Sequence, residues 1–596
     1  MNKLQAHSFH IPVMGTGYTI DTPLKVSQYG ISSAISLVDD VLIEKMREFY
    51  CRKLKIPFQA ISHKTHDFRA KRITAYLNLV DKIATENFEQ LKNSVSEKGG
   101  EMEKYVHMLP DFSVLKQKFQ QLIQGNRGLN EIRNWVQHNI SIGSIDVNIM
   151  TKLNRENYRH NKKLPVEFND AHAALRGFAK SKLKSSVILS AGMNPRLYSY
   201  FEEFEDFYPD ETGLIRKKII LKVSDFRSAL IQGKFLAKKG LWVSEYRVES
   251  GLNCGGHAFA TDGYLMGPIL EAFKKHRDML INTTYALLIQ ALKNKGRNAP
   301  DSPPEVKFSA QGGVGTAKEH QFLVDYYRLD SIGWGTPFLL VPEATNVDNY
   351  TQKLLKQASE KDLTLSDTSP LGVPFNTLEG NTKDLEKVKR INQGKPGSPC
   401  PRKFASNNRE FTEKEICLAS RQYQNLKIKA LDSRYLAPEE YNREYDKIVE
   451  KSCICVGLGT SALLVNDLDT KIEGQGVSVC PGPNMAYFSE VVSLKAMSDH
   501  IYGRDTVLKR TDRPHMFIKE LGMYIDYLGK MVADIKQPID DRQRKQLLNF
   551  RDNLNNGITY YRDLFSNAEA QNNGDYTGFT DALGLMEKAL NDISLN

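Results

Sequence analysis

Short apolar runs separated by stretches long enough for a helix recur along the middle of the chain, at 186–189, 218–223, 241–248, 306–310 and 338–341. Between them lie amphipathic patterns such as 226–239 and 269–294. Strands that alternate with helices cannot pair through tight hairpins, because each helix crosses back over the sheet and sets the next strand parallel to the last. This order constrains the fold more than any other feature. It admits an open doubly wound sheet or a closed (β/α)8 TIM barrel.

The start of the chain adds one more such unit. Residues 9–14 are apolar, Gly15-Thr16-Gly17 breaks the run, Thr22-Pro23 places an N-cap before a first-turn proline, and 31–37 reads as a second strand. From 40 to 169 the chain is rich in Lys, Glu, Asn and Gln at helical spacing, with Ile73, Tyr76, Leu77, Val80 and Ile83 on one face. The expected fold is therefore α/β, a (β/α)8 TIM barrel made from 1–39 and 170–345 and interrupted by a large helical insertion at 40–169. Leu371-Gly372-Val373-Pro374 and Lys395-Pro396-Gly397-Ser398-Pro399-Cys400-Pro401 carry loop chemistry and predict an irregular, cysteine-bearing extension over 346–488. Amphipathic patterns at 516–535 and 542–554 predict a helical region over 489–596.

Composition narrows the function classes. With 596 residues, 41% of them hydrophobic and 26% charged, the chain has the make-up of a folded protein with a large core. It has no apolar run of transmembrane length, and its first residues lack the order of a secretory signal, so a cytoplasmic protein is expected. A net charge of +10 is spread without a dense basic block, which argues against a nucleic-acid partner. Seven cysteines, an odd number in a long chain, fit reduced thiols better than a disulfide framework.

Three glycine clusters carry the chemistry. Ser309-Ala310-Gln311-Gly312-Gly313-Val314-Gly315-Thr316 runs from a strand into a helix start, where Gly312, Gly313 and Gly315 would let backbone amides approach a phosphate. A second glycine turn, at Gly333-Trp334-Gly335-Thr336, follows within the same β/α series. Paired turns after the last two strands are where TIM barrels build phosphate sites. The third, Asn253-Cys254-Gly255-Gly256-His257, begins at a strand end; there His257 is placed to take and give a proton.

Together with Pro12-Val13-Met14-Gly15, these motifs resemble the nitronate monooxygenase family and its relatives, the FMN-dependent enoyl-acyl-carrier-protein reductases and the reductase subunits of polyunsaturated-fatty-acid synthases. The matching elements are Gly255-Gly256-His257, Gly312-Gly313-Val314-Gly315 and Gly335-Thr336-Pro337-Phe338, over about 9–45 and 170–345. The resemblance implies a flavoprotein whose FMN phosphate lies on Gly312, Gly313, Gly335 and Thr336, with the ring near Met14, Gly15 and His257. It also implies that Lys222 faces the ring and stabilises its reduced, anionic form. The activity implied is that of an FMN-dependent oxidoreductase, monooxygenase or reductase, acting on a small-molecule or acyl substrate, with NAD(P)H or an electron-transfer protein as partner.

Cys400, Cys417, Cys453, Cys455 and Cys480 supply enough thiolates for an iron–sulfur cluster or a zinc site, although their spacing follows no standard pattern. Buried thiols and a redox-active pair are the other readings. Two further readings of the whole chain stand beside the flavoenzyme. One is a non-flavin TIM-barrel lyase or isomerase that uses the same cradle for a phosphorylated substrate; the other is an inactive barrel serving as a scaffold.

Overall fold

The computed structural model describes residues 6–96, 99–125, 128–254, 262–534, 539–570 and 577–594. Eight strands close into a parallel barrel: β1 (Phe9–Ile11), β2 (Ser32–Ser36), β3 (Ile145–Ile149), β4 (Ser186–Leu189), β5 (Lys218–Val223), β6 (Val243–Glu249), β7 (Lys307–Gln311) and β8 (Ser331–Gly333). They follow one another around the barrel in chain order, and β1 closes it by pairing with both β2 and β8, His10 lying opposite Ser32 and Gly333. The expected TIM barrel is what the chain forms.

The helices that matter below are α1 (Asp40–Lys53), α2 (Phe68–Asn93), α3 (Asp170–Ala179), α4 (Phe226–Ala237), α5 (Met266–Asn294), α6 (Ala317–Tyr327), α7 (Ile454–Val465), α8 (Met516–Ala533), α9 (Asp541–Ala570) and α10 (Thr577–Asn591). Helix α2 lies between α1 and α3, burying Ile73, Tyr76, Leu77 and Val80. Its apolar stripe is the one legible in the sequence, and it covers the outside of the barrel.

Two strand assignments need correction. The stretch 40–169 is not helical throughout: it contains β3, whose sequence Ile-Asp-Val-Asn-Ile alternates in polarity yet is buried at every position. Asp146 and Asn148 pair in register with Ala34 and Ile188, which belong to an apolar cluster completed by Ile220 of β5 and by Val13, just past β1. The barrel interior thus admits polar side chains, and β3 lacks the continuous apolar run by which parallel strands are recognised. The stretch 338–341 is not a strand either. Thr336–Leu340 forms a buried 3₁₀ helix, opened by Pro337, whose missing N–H cannot join a ladder. The eighth strand is the three-residue Ser331–Gly333 before it.

The 346–488 extension is more regular than its loop-rich sequence implies. It contains several helices, including α7, and an antiparallel hairpin, Leu363–Ser366 with Phe375–Leu378. Ten of the twelve residues of α7, from Ile454 to Leu463, are buried. Among the described residues no single helix is long and apolar enough to cross a membrane; α7 and Pro438–Val449 reach that length only as a pair bent by 45°.

Candidate functional site

The C-terminal ends of the barrel strands gather segments that are far apart in sequence. After β1 the chain turns at Gly15, in the left-handed region at φ +55°, and Gly17 donates its N–H to Leu458 O of α7 at 3.0 Å. After β7 it turns at Gly312 and Gly313, both left-handed at φ +112° and +85°. After β8 come Trp334, Gly335 and Thr336, all buried or nearly so. Because β1, β8 and β7 are neighbours, these three turns share one sector of the rim. Met14 is fully buried, and its sulfur lies 3.7 Å from where a Cβ on Gly335 would be.

Next to Gly15 lies a small cavity of about 70 Å³. Val13, Gly15, Met150, Phe375, Ile454 and Leu458 line it, so barrel and extension share its wall. Asn148, at the end of β3, also lines it, and its buried Oδ1 has no hydrogen-bond partner. An unsatisfied buried acceptor costs about 1–3 kcal/mol, so this one suits a ligand that brings a donor.

The amides at the start of α6 are already used. Thr316 and Glu319 form a capping box, and the Glu319 carboxylate accepts from Gly315 N at 2.9 Å and Thr316 N at 3.2 Å. Arg513 pairs with Glu319 at 2.8 Å, donates to Gly313 O at 2.8 Å and to Asn484 Oδ1 at 2.7 Å. Its guanidinium sits 2.6 Å from where a Cβ on Gly315 would be, so only glycine fits there. Thr336 Oγ1 accepts from Gly482 N at 3.0 Å. Of the glycines expected to form a phosphate cradle, Gly315 packs against Arg513, Gly313 against Leu252, and Gly335 against Cys254 and Pro12.

Lys222 and Glu249 stand at the ends of β5 and β6, each nine-tenths buried and 2.9 Å apart. Glu249 Oε1 also accepts from Asn253 Nδ2 and Gln311 Nε2, both at 2.7 Å. The ammonium is thus balanced by a carboxylate, and any ring stabilisation by Lys222 would act through a neutral pair. Gly255, Gly256 and His257 lie outside the described residues. Cys254, just before them, donates to Cys480 O at 3.3 Å, and burial pushes its thiol up to about 12. It is inert as a nucleophile at neutral pH.

The five cysteines proposed as metal ligands do not converge. Cys480 packs in the main core beside Cys254, Cys400 and Cys417 lie in one small cluster, and Cys453 and Cys455 lie in another. Among the described residues no group of three or more His, Cys, Asp or Glu side chains is placed to hold a metal ion.

Sequence reading missed the network that closes this face of the barrel. Thr316-x-x-Glu319 is a legible capping box. Nothing local marks Arg513, 194 residues further on, or Glu520. Glu520, on α8, accepts from Ser250 Oγ at 2.7 Å and from Met266 N, at the start of α5, at 2.9 Å. One carboxyl so ties together both ends of the segment that follows β6. Burial pushes it up to about 7, from an ordinary value of 4.5. The folded state therefore holds this proton where the unfolded chain has released it, so the stabilisation is complete below pH 4.5 and is lost as the pH rises to about 7. In Glu520→Gln, urea unfolding midpoints should lose this fall across that window; a fall as steep as in the wild type would contradict the assignment.

No family profile matches the chain, and neither does any curated protein sequence. Among solved structures it is similar to the enoyl reductase domain of MlnA from the macrolactin biosynthesis cluster of Bacillus amyloliquefaciens. That likeness has 14% identity over 75% of this chain and 88% of the other, with a TM-score of 0.31. It is also similar to FabK from Thermotoga maritima, with 12% identity over 88% of this chain and 97% of the other, and a TM-score of 0.33.

Proposed function

We propose that the chain is an FMN-dependent oxidoreductase acting on an apolar organic or acyl substrate. One observation carries the reading. The closed barrel sets Met14-Gly15, Gly312-Gly313 and Gly335-Thr336 in one sector of its C-terminal rim, and Gly15 also lines a small apolar cavity at the ends of β2 and β3, where the Asn148 amide oxygen is buried without a partner. TIM-barrel enzymes work at this face.

Bound there, FMN would supply the two-electron transfer chemistry, and the chain's own residues would bind, orient and shield it. The backbone at Gly312, Gly313 and Gly335, with the Thr336 hydroxyl, would hold the phosphate, and the Arg513–Glu319 pair braces the turn from behind through Gly313 O. Asn148 Oδ1 would accept from a ring N–H, and Gly15 lets the backbone approach the ring face without a side chain. His257 is proposed as the residue that moves the proton. The Lys222–Glu249 pair fixes Asn253 and Gln311 at the rim. Val13, Phe375, Ile454 and Leu458 exclude water and suit an alkyl chain.

The phosphate makes this testable by equilibrium binding to cofactor-stripped protein. FMN should bind at least about 100-fold more tightly than riboflavin, a difference of about 2.7 kcal/mol for one charge-assisted phosphate site. Gly313→Asp should abolish that preference, while Gly313→Ala, which strains the same left-handed turn without adding charge, should retain part of it. Equal affinity for FMN and riboflavin in the wild type would remove the phosphate cradle from the account. If neither flavin binds, the lyase or isomerase reading on a phosphorylated substrate takes its place.

A further inference from the structure

Helix α8 buries Leu521, Tyr524 and Leu528 in the core and turns a second face to open space. Lys519, Met523, Asp526, Tyr527 and Lys530 recur at spacings of three and four, so they share that face. They form one wall of a cleft of about 520 Å³. The hairpin of the extension forms the facing wall, where Leu363 and Leu365, two apart on one strand, point the same way. Asn376, opposite Leu365 in the hairpin, also lines the cleft and donates through Nδ2 to Gly251 O at 3.4 Å and Asn253 O at 3.3 Å. The Met523 methyl lies 2.5 Å from where a Cβ on Gly251 would be. The cleft therefore rests on the turn that follows β6.

Its charges select what can enter. Lys519 pairs with Glu360 and Lys530 with Asp367, each at 3.1 Å, so both ammonium groups are engaged and an anion would have to displace a carboxylate. The two pairs tie α8 to the extension and stand about 16 Å apart along the helix. Asp526 lies between them, partly exposed, and makes no ion pair or hydrogen bond among the described residues. Burial raises its carboxyl above the ordinary value, and Lys519 offsets only part of that cost. Three carboxylates and two ammonium groups thus leave one negative charge in the cleft unbalanced. The Tyr527 ring in the same wall adds a group that attracts cations. From Asp526 toward Lys519 the helix runs about 10 Å past Met523 and Ile518, facing the two leucines, and this stretch is apolar.

We propose that this cleft binds an organic ammonium ion with an apolar body about 10 Å long, the charge on Asp526 and the body along Met523, Ile518, Leu363 and Leu365. The site lies outside the barrel mouth and is independent of what the mouth holds. It has the size and the mixture of apolar wall and few polar groups that small-molecule sites share.

The test is calorimetric titration of the full chain with octylammonium, octan-1-ol and octanoate, whose chains are about 10 Å long. Octylammonium should bind once per chain and about tenfold more tightly than octan-1-ol, the difference expected for one charge-assisted contact in a partly exposed site. Asp526→Asn should remove that preference and leave the affinity for octan-1-ol unchanged. Leu365→Trp, which fills the cleft opposite the helix, should weaken both ligands at least about fivefold, a small part of what burying an eight-carbon chain contributes. Equal affinity of the wild type for the amine and the alcohol would overturn the ammonium assignment, as would a preference that survives Asp526→Asn. Tighter binding of octanoate would overturn it in favour of an anion site on Lys519 or Lys530. Absence of saturable binding, or binding that Leu365→Trp leaves intact, would remove the cleft as the site.

Discussion

Replacing Arg513 with alanine should lower the stability of the barrel by about 3–5 kcal/mol, the range for stranding one partner of a buried ion pair. Glu319 is 3% exposed and accepts four hydrogen bonds, from Gly315 N, Thr316 N, Met516 N and Arg513. Only Arg513 brings a full positive charge into hydrogen-bond contact. Burial works to raise the carboxyl, and Arg513 leads the groups that outweigh it and hold it below the ordinary range. The pair therefore contributes stability above the unfolded-state value and loses it as the pH falls through the folded-state value. The deficit in Arg513→Ala, read from urea midpoints, should be full at neutral pH and shrink in acid. In Arg513→Ala/Glu319→Gln the loss should be smaller than in the single variant, since no charge is then left buried. A deficit below about 1 kcal/mol would mean that the pair is not what joins α6, the glycine turn and the extension.

Gly17→Ala should destabilise by about 3 kcal/mol, at the upper end for overpacking, because the neighbours of the new methyl are backbone. A Cβ there would lie 2.8 Å from Gly459 O and 2.9 Å from Gly459 Cα. Gly17 and Gly459 thus let the β1 turn and α7 touch backbone to backbone, with the Gly17 N–H to Leu458 O bond across the contact. Pushing α7 away would shift Ile454, Cys455 and Leu458, which wall the cavity. Amide hydrogen exchange should rise across 454–465 while β4 and β5 stay protected. Unchanged exchange in α7 would show that this contact does not seat the extension.

What could be read in the sequence follows from physical locality. Strands β4 and β5 were legible to the residue, because strands covered on both faces read as continuous apolar runs. Strand β3 was hidden by Asp146 and Asn148, which the barrel interior accepts, and β8 by its length of three residues. The left-handed turns at Gly312 and Gly313 were visible because turn chemistry is local, and they stand at the rim as expected. Arg513, Glu520 and Asn148 were not visible, since each matters only through residues that folding brings to it. The extension read as irregular for a similar reason: Cys400 packs against Ala405, Cys417 and Ala419, and nothing local in the sequence marks that contact.

The most direct test of the central claim is the visible absorption spectrum of the purified full-length chain, with the mass of whatever small molecule is released on denaturation. The account predicts the two-banded absorption of an oxidised flavin and a released compound with the mass of FMN. A colourless protein that takes up no FMN on reconstitution would contradict it.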